Sequence, residues 1–597
     1  MPDESTKEEN KNIETTDDTE SLNPHVAGDV FHPDNATDAE PEATPENENI
    51  TDSATQSNPV EQLEKPEAPN GLLAIPPQPV KKSSKKGLLT FIFVLVLALA
   101  AAGAWWFLRD KNSANNSQTK ASQELQEVDL IRIGTTDGPA NNLFPKEGIG
   151  ISYSQSRQVY EGLVGNKDKS YVPLLATSWT NPDEKTWVFK LKPGVKFHTG
   201  KLLTAADVKS SIEELQKLDF LGYLYATIEN VEVVNDLEVR ITTKEPDALL
   251  LNRLAISYIW DQNAKDIEGN NGTGPYKLDT TAAYEESTAT LIANDDYHQG
   301  RPKTRKLVYK IYESDAKMNT AMKANELDQM ETVLNTEAVA GLSEAGFAKL
   351  EFESPGTFGL YMNTLRANSP LKNKEVRKAI AQAIDRKSLV ETVGNNNLPA
   401  SQIIPKSLPG YDATVSFPEF NIAAAKDTLA KAGFPNGVTL EYLYIKDIQL
   451  EPPVVIKQLE AAGFKIKAVS FTELDPVLDR SYAGQFDLFS AAYTSDLADS
   501  RDLLGALLES SEQSYPVYSD TTFDKLLEDS DRELDPTKRI AILQAANKYA
   551  TDNLLWIPLR TTAYVSFYQS NLSLSQDFNG GGTLGVYYWK VGQKPVN

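Results

Sequence analysis

Two hydrophobic periods alternate along most of this chain. Apolar residues recur every second position in 129–135 (DLIRIGT), 237–243 (LEVRITT), 306–313 (KLVYKIYE) and 464–471 (FKIKAVSF), the pattern of strands with one buried face. They recur every third or fourth position in 376–384 (VRKAIAQAI) and 538–549 (KRIAILQAANKY), the pattern of amphipathic helices. Strands and helices interleaved in this way predict mixed α and β lobes, an α/β fold class. The sharpest local reading is at 173–208. Trp187, Phe189 and Leu191 alternate with polar neighbours, Lys192-Pro193-Gly194 turns the chain, and a second short strand is expected through Val195 and Phe197. Thr204 then caps a helix, with Asp207 three residues on as a capping-box partner and Val208, Ile212 and Leu215 on one face.

Punctuation supports the remaining elements. Asp535 and Pro536 open a helix whose face is expected to run through Ile540, Leu543 and Asn547 to Tyr549. Gly433 and Gly463 close two others in the left-handed conformation, and each is followed by a strand. Residues 358–555 therefore read as a lobe built on βαβ units.

The N-terminal part has a different character. Residues 1–80 hold 19 acidic and 3 basic side chains, so −16 of the chain's formal charge of −25 lies there and only −9 in the remainder. Few aromatics accompany those charges, and such a segment cannot bury enough apolar surface to offset chain entropy. Residues 1–86 are expected to form a disordered acidic tail. The uncharged run 87–108 (GLLTFIFVLVLALAAAGAWWFL) is long enough, at about 1.5 Å per residue, to cross a hydrocarbon core of roughly 30 Å. It reads as one transmembrane helix. Lys81, Lys82, Lys85 and Lys86 precede it and Trp105 and Trp106 close it, which places the tail in the cytoplasm and the rest of the chain outside. An n-region of more than eighty residues argues against a cleaved signal peptide. Residues 109–127 form a polar linker.

Composition removes several functions. There is no cysteine, hence no disulfide, no thiolate metal site and no lipidated cysteine. No basic stripe suits nucleic acid. His198 and His298 are the two histidines beyond the tail, fewer nitrogen donors than a transition metal generally requires, and both are expected to be structural. The segment from Gly194 to Leu202 departs from a phosphate loop in spacing and lacks its Ser or Thr. Asp295 and Asp296 read as turn residues. With no G-x-S-x-G or H-E-x-x-H, an enzyme is not indicated, although Ser-Lys pairs stay open.

The block 173–208 resembles the signature of the solute-binding proteins for peptides and nickel, solute-binding family 5, the extracytoplasmic receptors of ABC importers. The resemblance continues in order through VYEGLV (159–164), GTGPYKL (272–278), NDDYHQGRP (294–302), EVRKAIAQAIDRKSLV (375–390), GQFDLFSAAYTSD (484–496), YSDTTFDKLLEDS (518–530) and DNLLWIPLR (552–560). It implies a bilobal periplasmic-binding-protein-like fold of class II, cluster C type, with an extra small lobe: lobe I at 128–160, 247–357 and 556–597, lobe II at 161–246, lobe III at 358–555. It further implies hinge closure on an oligopeptide or dipeptide, delivery to an ABC permease with its ATPase subunits, and no cofactor. A carrier of a nickel chelate or other small solute, or a peptide sensor signalling through the tail, are the alternative readings.

The site is expected at the end of the strand in FDLFSAAYTSD, where Phe486, Leu488, Ser490 and Ala492 form one side and Tyr493-Thr494-Ser495-Asp496 the tip. Ligand sites in α/β sheets lie beyond strand carboxyl ends. In the peptide receptors that this chain resembles, an aspartate three residues after an aromatic binds the ligand's α-ammonium, which assigns that role to Asp496 behind Tyr493; a capping or solvated aspartate is the structural alternative. Tyr493 either stacks on the ligand or fills the core. Some of those receptors carry an arginine six residues before the aspartate for the ligand carboxylate. Ser490 stands there instead, leaving Arg560 as a possible substitute or an ordinary surface arginine.

Overall fold

A computed structural model describes residues 125–136, 153–167, 169–218, 222–264, 271–279, 281, 287–333, 335, 339–511, 513–574, 586 and 588–595. The expected acidic tail, the apolar 87–108 segment and the linker as far as residue 124 lie outside the described residues. No helix among those described is long and apolar enough to cross a membrane.

One sheet organises most of the chain. Its ten-strand path runs Lys465–Phe471, Thr439–Ile445, Leu488–Thr494, Gly356–Met362, Trp556–Tyr568, Gln329–Val333, Ile131–Thr135, Lys306–Ile311, Thr288–Ala293 and Tyr276–Leu278, with Ala348–Glu353 and Asn397–Pro399 also paired to Trp556–Tyr568. The Lys465–Phe471, Thr439–Ile445 and Leu488–Thr494 strands are mutually parallel and joined through helices Glu451–Ala461 and Asp475–Tyr482, so the expected βαβ construction is present. Their carboxyl ends share one edge of the sheet.

The 13-residue strand Trp556–Tyr568 ties the two ends together. Its first half pairs with Gly356–Met362, Phe358 opposite Arg560 and Tyr361 opposite Trp556; its second half pairs with Ala348–Glu353 and Gln329–Val333. A boundary drawn at 555/556 therefore precedes a strand shared by both sides. A separate antiparallel sheet, Ala176–Asp183, Thr186–Leu191, Glu238–Thr243 and Ile228–Asn235, carries helix Ala205–Leu215 on one face. One apolar core joins this small sheet to the first part of the large one, and a second fills the region between 358 and 559.

Local predictions meet local geometry closely in the small sheet. Trp187, Phe189 and Leu191 are buried while Lys190 between them is exposed. The Asp207 carboxylate accepts from the Thr204 backbone N–H at 2.9 Å and from its hydroxyl at 2.8 Å, and Val208, Ile212 and Leu215 are buried. The second strand is reduced to a single bridge, Lys196 to Leu202, because the chain folds straight back: Phe197 N–H donates to Lys201 O and Leu203 N–H to Val195 O. Val195 and Phe197 are buried as expected.

Helix ends follow the same logic. Gly433 and Gly463 have φ of +99° and +96°, and the next residue's N–H reaches back to Leu429 and Leu459 respectively, the return bond of a glycine-terminated helix. Helix Pro536–Asn553 starts on the Asp535 side chain, which accepts from Thr537 and Lys538 N–H. Its buried face corrects the sequence reading. Arg539, Leu543, Ala546, Asn547 and Ala550 point inward, and Ile540 is 38% exposed. The reason is electrostatic: the Arg539 guanidinium meets the buried Asp499 carboxylate through two bonds of 2.7 and 2.8 Å, and that anchor rotates the neighbouring Ile540 outward.

Candidate ligand-binding site

The Leu488–Thr494 strand lies inside the sheet between Thr439–Ile445 and Gly356–Met362. Leu488, Phe489, Ser490 and Ala491 are all buried, so both faces are covered and the expected one-sided alternation is absent; Ala492 is exposed, where the strand leaves the core. Its tip is held close to the neighbouring strand. A Cβ on Gly356 would fall 2.4 Å from Thr494 Oγ1 and 2.7 Å from Tyr493 O, so only glycine permits that approach.

Beyond Thr494 the chain forms a self-closed loop. Ser495 Oγ donates to Asp502 Oδ2 at 2.8 Å, and Asp499 N–H donates to Ser495 Oγ at 3.0 Å. Asp499 caps helix Ser500–Leu508 by accepting from Arg501 N–H. Ala498 adopts φ +52°, the left-handed region that costs an L-residue about 1 kcal/mol. That turn sends Leu497, 3% exposed, into the apolar core of the opposite side of the molecule. Its carbonyl accepts from Asn252 Nδ2 at 2.7 Å, and Tyr171 OH donates to Asn252 Oδ1 at 2.6 Å. The tip thus bridges the two sides.

The expected site residues occupy this junction unequally. Asp496 and Tyr493 are half-buried. Burial pushes the Tyr493 phenol well up, and the Asp502 and Asp496 carboxylates push it further. Tyr223, contributed by the 222–225 turn beside the small sheet, feels the same two carboxylates: burial raises its phenol first, then Asp496, then Asp502. Tyr223, 38% exposed, therefore lies within electrostatic reach of Asp496 and Asp502. Thr494 is half-buried in register with Gly356.

Arg560 is differently placed. Its Nε pairs with the buried Glu451 carboxylate, its Nη1 donates to Thr562 Oγ1 at 3.1 Å, and its guanidinium lies 4.5 Å from the Phe358 ring centroid. Its charge is compensated within the protein. Ser490 is buried and bonds Tyr442 OH at 2.5 Å. Both histidines are structural. His298 Nε2 contacts the buried Glu161 carboxylate, which also accepts from Tyr297 OH and Thr273 Oγ1, and His198 Nε2 bonds Gly274 O at 2.9 Å. Burial lowers the His198 pKa to about 4. Asp295 pairs with Arg301 and Arg305 at the surface. Among the described residues no group of three or more His, Asp or Glu could hold a metal ion.

Sequence reasoning did not single out Asp502, Tyr223, Asn252 or Leu497. Asp502 was visible as the third residue after Asp499, a spacing that reads as helix capping. Tyr223 carried no pattern at all.

Known proteins share this fold over most of the chain. The glutathione-binding protein GsiB of Salmonella paratyphi A is 26% identical over 451 residues, 71% of this chain and 87% of its own length. HbpA2 from Haemophilus parasuis superposes with a TM-score of 0.70 at 23% identity, covering 77% of this chain and 99% of that one. The periplasmic binding protein DppA from Helicobacter pylori, in complex with the peptide STSA, gives 0.62 at 21% identity over 79% and 99%. The model of the bacterial extracellular solute-binding proteins, family 5, matches residues 170–515. The chain belongs to that family.

Proposed function

We propose that this chain is an extracytoplasmic receptor of an ABC importer, anchored by the 87–108 segment with its acidic tail in the cytoplasm, that captures short peptides by closing around them. It performs no chemistry on its ligand. Asp496 receives the peptide's α-ammonium, and Tyr493 and Thr494 border the bound chain. The observation that carries the reading is the place of Asp496, half-buried at the carboxyl end of the Leu488–Thr494 strand in the tip loop that meets the facing side through Leu497 and Asn252, where we place the ligand crevice. An ammonium enclosed there loses its water, and a charge-assisted bond to a carboxylate offsets that loss.

Similar proteins include both peptide-type and nickel receptors, among them NikA from Staphylococcus aureus in complex with Ni(L-His)2, so the peptide reading rests on Asp496. Glutathione and STSA both carry a free α-ammonium of the kind that Asp496 would receive. Arg560 is a poor ligand-carboxylate receptor while Glu451 holds it, so the far end of the peptide is expected to be bound by water or backbone groups. Calorimetric titration of the full-length chain in detergent with a mixed tripeptide and tetrapeptide pool, and separately with a nickel–histidine chelate, tests the proposal. Heat from the peptide pool is expected; heat from the chelate alone would replace the peptide reading with the metal one.

A further inference from the structure

A lysine at the tip of a small hairpin joins the two sides of the molecule. Strands Val164–Lys167 and Ser170–Pro173 pair antiparallel, and Leu163 and Val164 lie in the apolar core that the small sheet shares with the first part of the large one. Lys169, in the turn between the two strands, reaches with its Nζ to backbone oxygens of the other side, Lys406 O at 2.6 Å and Leu408 O at 3.1 Å. Ile403, Ile404 and Leu408 belong to the second core. Among the described residues no carboxylate forms an ion pair with Lys169, so these carbonyls are what the ammonium holds.

The receiving loop is fastened where the chain crosses from one core to the other. Glu353 accepts from Lys406 N–H at 3.0 Å and from Thr561 Oγ1 at 2.9 Å, and Ser407 Oγ donates to Ser354 O at 2.9 Å. Residues 353–354 lead from strand Ala348–Glu353 into Gly356–Met362, and Thr561 lies on the strand that both sides share. Lys169 therefore ties the hairpin to the crossing strands, the place of a hinge. Two residues on, Tyr171 donates to Asn252, which holds Leu497 O, and nearby Ala248 N–H donates to Asp531 O at 2.9 Å. Each of these bonds joins protein to protein and can form whether or not a ligand is bound. Lys169 also takes φ +60°, a left-handed conformation that costs an L-residue about 1 kcal/mol. Glycine would avoid that cost, but it has no side chain to reach the carbonyls.

We propose that this hairpin is a clasp: the grip of Lys169 on the 406–408 carbonyls biases the receptor towards its closed form before ligand arrives, and so sets the resting balance of open and closed molecules. This rests on the reading of the chain as a receptor that closes around its ligand, and not on what the ligand is. The competing role, stabilisation of the fold alone, leaves that balance unaffected by the loss of the ammonium.

The chain has no cysteine, so nitroxides can be placed at exposed positions on the two sides, Asn230→Cys on the small sheet and Glu460→Cys on helix Glu451–Ala461. Their separation is read by pulsed electron spin resonance on the full-length chain in detergent, with no peptide added. One dominant short separation is expected with Lys169 in place. Lys169→Gly, which removes the ammonium and suits φ +60°, is expected to move about half of the molecules or more to a longer separation. Lys169→Arg, which keeps a donor, is expected to retain the short one. The same separation in the parent and in Lys169→Gly overturns the proposal, and so does a parent that already rests at the longer one. A lower urea midpoint of Lys169→Gly with the separation unchanged also overturns it, leaving Lys169 as a stabiliser. A separation that responds to Lys169→Gly in a chain that gives no heat with the peptide pool defeats the peptide reading and leaves the clasp standing.

Discussion

Asp496 and Asp499 are three residues apart and do different work. Asp499 is buried against Arg539 with both oxygens bonded, and removing either partner strands a charge in the interior. Asp499→Ala is expected to lower stability by about 3 to 5 kcal/mol, read from urea unfolding of the full-length chain followed by tryptophan fluorescence. Asp496→Ala is expected to lower stability less than Asp499→Ala and to weaken peptide binding by about 2 to 4 kcal/mol, the loss of one member of an enclosed ion pair. A variant that unfolds early yet binds normally would reverse the two assignments. His198 gives a third test at this scale. Its pKa is lowered to about 4 by burial, so the folded state stays neutral where the unfolded state, near 6.5, takes up a proton. Its contribution is therefore fully present above about pH 6.5 and is lost as pH falls towards 4, at most about 3 kcal/mol. His198→Gln, which keeps a donor for Gly274 O, is expected to show a shallower decline of stability across that window; an identical decline would remove His198 as its source.

Elements whose causes are local were legible in the sequence. The Thr204–Asp207 cap, the Asp535–Pro536 start and the two glycine stops each depend on a few adjacent residues. Gly433→Ala, which would force alanine to φ +99° in otherwise open space, is expected to cost about 1 kcal/mol, measured as a shift in the urea midpoint at constant slope. What could not be read was decided by distant partners. Ile540 turned outward because Arg539 found Asp499, 40 residues earlier in the chain. The Leu488–Thr494 strand lost its alternation because it is covered on both faces. Asp502 has the sequence signature of a cap, yet it closes the tip loop by accepting from Ser495 Oγ at 2.8 Å. Arg560 was recognised as a cation at the right sheet edge, but Glu451, at the start of a helix 109 residues earlier, neutralises it.

At the scale of the whole molecule, the proposed closure would depend on the strand-tip loop as much as on the ligand. Leu497 is buried in the core of the facing side and Asn252 holds its carbonyl; burying one leucine contributes about 1.5 to 3 kcal/mol. Leu497→Asp is expected to open the crevice, seen as a larger radius of gyration by small-angle scattering without ligand and as weaker peptide binding, because ligand must then drive closure alone. An unchanged radius would mean that this contact persists in all states and lies at the hinge. The central claim, that the crevice recognises the charged amino end of a peptide, is tested most directly by titrating the full-length chain with one tetrapeptide and its N-acetylated twin. The free peptide is expected to bind about a hundredfold tighter; equal affinities would contradict the account.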